Sequence, residues 1–255
     1  MAKILIIDIE TAPNVAYVWG AWKQNIGVNQ WKEKGHIMSF VAKWLDSDEL
    51  IYVENRKSND KPIVNKLVKL LDEADIVVAH NGDRFDLPVI LGRALVHGIA
   101  PPSPYHTIDT CRIARRRFRF TQNSLKNLAE ELGCAHKKGG HEKFPGFELW
   151  LECLKGNDEA WAEMKEYNEL DVIVLQEVYL KMLPFIDNHP NVVHHTHDGE
   201  VHCPKCGSTN IQWRGYFYTK MGLCYRKFVC KDCGGWGRAR YAEKDLPSNN
   251  ARNAV

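Results

Sequence analysis

The stretch MAKILIIDIETAP constrains the chain most. Ile4, Leu5, Ile6, Ile7 and Ile9 are apolar at odd and even positions alike. Successive side chains of a strand point to opposite faces, so this strand is apolar on both. Such a strand belongs in the middle of a sheet covered on both sides, which predicts a layered α/β architecture. The same strand ends in Asp8 and Glu10, which share a face because they stand two residues apart. Two like charges held close are costly unless a cation lies between them or one stays protonated. Taken alone, the pair is better explained by a strand that has reached solvent.

The remaining pattern predicts strands over 37–45, 50–54, 75–79 and 105–109. Helices are expected over 58–71, 87–97, 110–117, 124–132 and 158–183, with Pro88 in the first turn of the second. The Trp-rich stretch with Trp19, Trp22 and Trp31 has no clear period. Three strands, then helix–strand–helix–strand, then helices, is the order of a ribonuclease H-like fold, though other α/β domains share it. The expected class is therefore α/β: a ribonuclease H-like mixed sheet flanked by helices, to which the close pairs Cys203/Cys206 and Cys230/Cys233 add a small C-terminal zinc ribbon.

Charge divides the chain. From Val201 onward ten Lys/Arg stand against three Asp/Glu; before it the numbers are 24 and 29. An acidic body with a basic tail suggests two domains, the second facing a polyanion. The expected boundaries are a catalytic domain over 1–188, a linker over 189–200, a ribbon over 201–242 and a disordered tail over 243–255. His194, His195 and His197 read as linker residues, with a stray metal site as the lesser reading. No apolar run approaches the roughly 20 residues of a membrane span, and no signal core is visible. Cysteines in close pairs suit a reducing compartment, so the expected location is the cytoplasm.

In the last long helix Met164, Tyr167, Asp171, Val174 and Val178 fall on one stripe. Asp171 thus faces inward with Tyr167 one turn before it. A buried carboxylate costs several kcal/mol unless paired; a salt bridge to an arginine is the structural alternative. Asp86, in AHNGDRFDLPVI, follows a strand and precedes Leu87-Pro88, where a helix N-cap is the plain reading.

The segments ILIIDIET, HNGDRFDLPVI and YNELDVIVL resemble, in order, the three motifs of the DEDD 3′–5′ exonucleases, including the proofreading domains of family-B DNA polymerases and small phage and prokaryotic nucleases. TIDTCRIARR and NSLKNLAEELG are similar to family segments as well. The resemblance covers roughly residues 3–180. It implies that Asp8, Glu10, Asp86 and Asp171 hold two Mg²⁺ or Mn²⁺ ions, with Asp8 bridging them. Tyr at 167 with Glu at 166 resembles the tyrosine subgroup, which implies that Tyr167 orients the attacking water. Thr11, Asn81 and Phe85 match positions that touch the 3′-terminal nucleotide in relatives; Phe85 reads equally as a core ring. Asp109 is expected to cap the helix after it. The run RIARRRFRF reads first as a solvated helix end and second as a phosphate contact, and Lys137–Lys143 as a flexible basic loop, with approach to the substrate as its lesser reading.

CPKCG and CKDCG place Cys203, Cys206, Cys230 and Cys233 as two C-x-x-C-G knuckles. Four thiolates suit one structural, tetrahedral Zn²⁺, and glycine permits the turn after each pair. Cys224 falls outside the spacing. Trp213, Tyr216, Phe217, Tyr218, Tyr225, Phe228 and Trp236 interleave with Arg214, Lys220, Arg226, Lys227, Arg238 and Arg240. That mixture suits single strands, phosphates to cations and bases to rings, although a small ribbon also needs rings to fill itself.

Together these readings predict a two-metal 3′–5′ exonuclease acting on single-stranded nucleic acid, DNA favoured over RNA. Its ribbon serves as a substrate clamp or docks a replication or repair protein. The alternatives are an endonuclease or RNA-processing nuclease on the same fold, and a non-catalytic nucleic-acid-binding adaptor.

Overall fold

The computed structural model describes residues 1–136, 140–194 and 198–243. Lys137 and Lys138 of the basic loop, His195 and His197 of the linker, and residues 244–255 of the expected tail lie outside them. Contacts divide the chain into Lys3–Tyr179 and a second unit from Leu180 onward that includes Met1–Ala2. No helix among the described residues is long and apolar enough to cross a membrane.

The first unit opens with β1 (Ile4–Thr11), β2 (Val15–Ala16), β3 (Trp31–Glu33), β4 (Ile37–Trp44) and β5 (Leu50–Glu54). There follow α1 (Lys61–Glu73), β6 (Ile76–Ala79), α2 (Asp86–Val96), β7 (His106–Asp109) and α3 (Thr110–Arg117). It closes with α4 (Leu125–Glu131), α5 (Glu148–Lys155) and α6 (Asp158–Met182), whose last turn enters the second unit. A five-stranded sheet runs β5-β4-β1-β6-β7, antiparallel from β5 to β1 and parallel from β1 to β7. The strand that is apolar on both faces is therefore central, as its sequence requires.

On one face Leu5, Ile7 and Ile9 pack with Ile63, Leu67 and Leu71 of α1 and Leu87 and Ile90 of α2. Burying each such side chain contributes about 1.5–3 kcal/mol. The other face carries Asp8 and Glu10, opposite Val41 and Ser39 of β4. Helix α6 covers it, with Lys43 donating to Oε1 of Gln176 at 2.7 Å. The inward side of α6 is broader than the expected stripe. Met164, Asp171, Val174 and Val178 are buried, but so are Trp161, Asn168, Leu175, Tyr179 and Met182, while Tyr167 sits half-buried at the edge.

Asp60, just before α1, is a buried staple. It accepts the Ile37 N–H at 3.0 Å, a fork from Arg93 at 2.8 and 2.6 Å and a contact from Nε2 of His97 at 2.6 Å. One carboxylate thereby ties the start of β4 to both helices. Helix α5 was not expected: only Leu149 and Cys153 mark its buried side, too few for a periodic signal. The Trp-rich stretch forms the small β2–β3 ribbon, with Trp19 and Trp22 exposed.

The second unit is built on β8 (Ile211–Tyr218), β9 (Cys224–Cys230) and β10 (Trp236–Arg238), an antiparallel sheet in the order β10-β9-β8. Lys205 donates to the Pro184 carbonyl at 2.6 Å, and the Val192 N–H to the Pro204 carbonyl at 2.9 Å. These bonds draw the segment after Leu180 into this unit, earlier than the boundary expected at 188.

Candidate active site and metal centres

The site forms where strand pairing stops. β6 pairs with β1 only as far as Val78 opposite Ile6. Beyond that point the edge of β1 is taken over by a side chain: Oδ1 of Asp86 accepts the Ile9 N–H at 3.2 Å. Asp86 opens α2, with Phe85 in the capping position and no side-chain cap bond. The N-cap reading of Asp86 is therefore corrected, because its carboxyl is spent on β1 instead. It is buried, and burial pushes its pKa up to about 7. The Ile9 N–H and its own backbone draw it back, and the charge of Asp109 adds to the rise.

Asp8 and Glu10 project from the opposite side of Ile9, and α6 brings Asp171 to them. Ligand atoms of these three acids lie within 4.8 Å of one another, two half-buried and one buried. Among the described residues this cluster holds three of the four acids expected at the site; Asp86 is not in it. Asn168, one turn before Asp171, donates to Oδ2 of Asp8 at 2.7 Å, and its Oδ1 accepts from the Ser39 hydroxyl at 3.1 Å.

The turn that delivers Asp86 is tightly made. Asn81 has φ of 65°, a conformation Asn tolerates better than most residues. At Gly82 a Cβ would lie 2.3 Å from Cβ of Ala79, so no side chain fits. Asp109 holds the turn from below, accepting backbone N–H groups of Asn81 at 3.0 Å and Asp83 at 3.3 Å. It also accepts from Arg112 at 3.0 Å, as the cap of α3. Phe85 is 41% exposed, which removes the core reading of that ring. Thr11 is half-buried just past a bulge that follows Glu10.

Tyr167 is held edge-on by two rings that the sequence did not single out. Its centroid is 5.4 Å from His141 and 6.2 Å from Trp150. His141 is fixed in turn by a 2.6 Å contact from Nδ1 to the Phe144 carbonyl. The Lys143 N–H donates to Oε1 of Glu163 at 3.0 Å. An open groove of about 310 Å³ runs past His141, Lys143, Glu163 and Tyr167.

In the second unit the sulfurs of Cys203, Cys206, Cys230 and Cys233 lie within 4.8 Å of one another. Cys203–Cys233 is 3.7 Å and Cys206–Cys230 3.6 Å. A zinc tetrahedron with bonds of about 2.3 Å has edges of about 3.8 Å, so the four sulfurs fit such an ion. Gly207 and Gly234 turn the knuckles with φ of 77° and 75°, and Cys224 stands outside the cluster. Of the rings, Phe228 is the buried one, against which Trp213 packs. Tyr216, Phe217, Tyr218 and Trp236 are exposed. Cations lie over rings at 4.4 Å for Arg226 on Trp213, 5.6 Å for Lys227 on Trp236 and 3.8 Å for Arg238 on Tyr225. Arg214 reaches Oε1 of Gln212 at 3.0 Å.

Three oxygen-donor acids suit a hard divalent cation, and four sulfurs a softer one. Both donor sets fit the metals that their residue types suggest.

Comparison with known proteins bears on the fold that carries these residues. Residues 5–183 match the family RNase_H_2, described as the RNase_H superfamily. A 41-residue segment, 16% of this chain and 2% of the relative, is 39% identical to a DNA polymerase of Methanocaldococcus jannaschii. The fold is similar to that of the family B DNA polymerase from the hyperthermophilic archaeon Pyrobaculum calidifontis, with a TM-score of 0.56 and 16% identity over 72% of this chain and 25% of that one. The chain thus spans a small part of each polymerase.

Proposed function

The chain belongs to the RNase_H superfamily, and from that premise we propose that it is a two-metal 3′–5′ exonuclease of the tyrosine type, acting on single-stranded nucleic acid with DNA favoured over RNA. One observation carries the reading: the ligand atoms of Asp8, Glu10 and Asp171 converge within 4.8 Å at the end of the central strand. Three carboxylates alone would repel a phosphodiester, so the trio is useful to a nuclease only as a cradle for cations. Mg²⁺ or Mn²⁺ suits these oxygen donors, with Asp86 completing the set as the family resemblance implies. Two such cations, when bound, would supply acidification of an attacking water and charge neutralisation at the departing 3′ oxygen.

The chain's own residues do the rest. Asn168 fixes the rotamer of Asp8 through its 2.7 Å bond. Tyr167 offers its hydroxyl to the attacking water, and His141 and Trp150 keep its ring in place. Thr11, Asn81 and the exposed ring of Phe85 contact the terminal nucleotide. In the second unit Cys203, Cys206, Cys230 and Cys233 hold one structural Zn²⁺. The exposed rings there, with Arg214, Arg226 and Lys227, clamp the rest of the strand. Docking of a replication or repair protein is the competing role for that surface.

The test is digestion of linear and circular single strands, 5′-labelled where linear, with Mg²⁺ or Mn²⁺. Shortening from the 3′ end with release of mononucleotides, stopped by EDTA, is expected. Cleavage of the circle at a comparable rate would replace the exonuclease by an endonuclease.

A further inference from the structure

The arginine run of α3 has no part in the site described above. In the fold, Arg115 and Arg116 from its last turn share an open groove of about 480 Å³ with Arg84 from the turn before α2. The groove also carries carboxylates, but these are committed. Asp83 is ion-paired with Arg112, and Asp109 accepts three backbone N–H groups. Among the described residues, the side chains of Arg84, Arg115 and Arg116 have neither an ion pair nor a hydrogen bond. Three exposed guanidiniums from two elements therefore face one concavity with no ion-pair partner of their own, against the single remaining carboxylate charge of Asp109, so the groove keeps a positive excess.

We propose that this groove grips the phosphodiester backbone of the substrate strand beside the acidic site. This deepens the nuclease reading and rests on it for the identity of the ligand. A guanidinium presents a planar fork that matches two phosphate oxygens. The groove is larger and more open than one phosphate needs, and its cations come from separate elements, as suits consecutive phosphates on a strand. Its position gives it a task. The turn that contributes Asn81 and Arg84 to the groove ends at Asp86, which is bonded to β1 between Asp8 and Glu10. A strand gripped here approaches three carboxylates that would otherwise push it away.

The experiment measures binding, so it does not depend on cleavage. In an Asp171→Asn background, Arg115→Gln/Arg116→Gln is compared with the parent and with Lys66→Gln/Lys69→Gln, which removes the same charge from exposed positions on α1. Glutamine keeps the helix propensity of arginine, and thermal unfolding checks the fold. Affinity for a 20-nucleotide single strand is titrated against salt. Each lost phosphate contact lowers the slope of log K on log salt by about 0.7 for single strands. The arginine variant should therefore lose about 1.4 in slope, and the lysine control should not. An unchanged slope, or an equal loss in the control, overturns the proposal. So does full competition by millimolar inorganic phosphate, which would make the groove a site for the free ion. Absence of cleavage by the unmutated protein would instead refute the nuclease reading, while the slopes still decide whether the groove binds a strand.

Discussion

Nδ2 of Asn168 donates to Oδ2 of Asp8 at 2.7 Å across the gap between α6 and the central strand. Asn168 is buried, and its Oδ1 accepts from the hydroxyl of Ser39, which stands opposite Glu10 on β4. The relay orients Asp8 before any cation arrives. Asn168→Ala should therefore weaken metal binding: losing such an outer partner typically costs about 10–100-fold in metal affinity or activity. Mn²⁺ titration of the rate, with thermal unfolding as the control, checks it. An unshifted Mn²⁺ requirement would leave Asn168 as a packing residue.

Two buried acids should shape stability in opposite pH ranges. Burial lifts Asp86 to about 7, against about 3.9 in an unfolded chain. Between those values the native protein holds the extra proton, so metal-free stability should fall as pH rises from about 4 to about 7. Burial also pushes Asp60 up, but Arg93, the Ile37 N–H and His97 outweigh it and hold the group at about 2. Its contribution is present above about 4 and lost as pH falls towards 2. In denaturant unfolding of the metal-free protein, the wild type should lose stability relative to Asp86→Asn as pH rises from about 4 to about 7, and Asp86→Asn should impair metal-dependent cleavage. A stability difference that is level from about pH 4 to about 7 would contradict the assignment.

Asp8, Glu10 and Asp171 were legible because strand and helix periods fix which side chains share a face. The placement of Asp86 was not legible. It depends on where β6 ceases to pair with β1, at Ile6 and Val78, which is a tertiary fact; locally the residue reads as a cap. Asn168 was hidden for a related reason, since a lone Asn on a charged helix reads as surface. His141 and Trp150 reach Tyr167 from segments 17–26 residues away in sequence, through a loop and a helix too short to announce themselves. In the ribbon, the pattern left each ring open between packing and binding; burial resolves Phe228 towards packing and leaves Trp236 and Tyr218 outside.

Gly82 should not tolerate a side chain. A Cβ there would meet Cβ of Ala79 at 2.3 Å and lie 3.7 Å from Oδ2 of Asp86. Relief requires the turn to move, which carries Asp86 and Arg84 with it. Gly82→Ala should cost about 1–3 kcal/mol in stability, as overpacking does, and should lower activity further than the stability loss explains. Activity compared at a temperature where the variant is fully folded separates the two effects.

The cysteine cluster should carry one zinc per chain, measurable by elemental analysis. Cys206→Ser should abolish it. A ribbon this small has little core without metal, so trypsin should then cut at Arg214, Arg226 and Lys227. Residues 3–179 should survive the digestion, because their core is separate. Full zinc content in Cys206→Ser would remove that cysteine from the ligand set.

The last expectation separates Tyr167 from Asp171. Asp171→Ala removes one of three converging ligands, so activity should collapse and raised Mn²⁺ should recover little. Tyr167→Phe keeps the ring that His141 and Trp150 pack edge-on, so folding should hardly change. It removes only the hydroxyl that would position the attacking water. A positioned acid–base group contributes about 10²–10⁴-fold, but a divalent cation bound at the acidic cluster would itself acidify the water. The loss should therefore be partial, smaller than in Asp171→Ala, with the Mn²⁺ requirement unshifted. Single-turnover rates and Mn²⁺ titrations of both variants decide it. A fully active Tyr167→Phe would reduce Tyr167 to a packing residue, and the tyrosine-type mechanism would not apply to this chain.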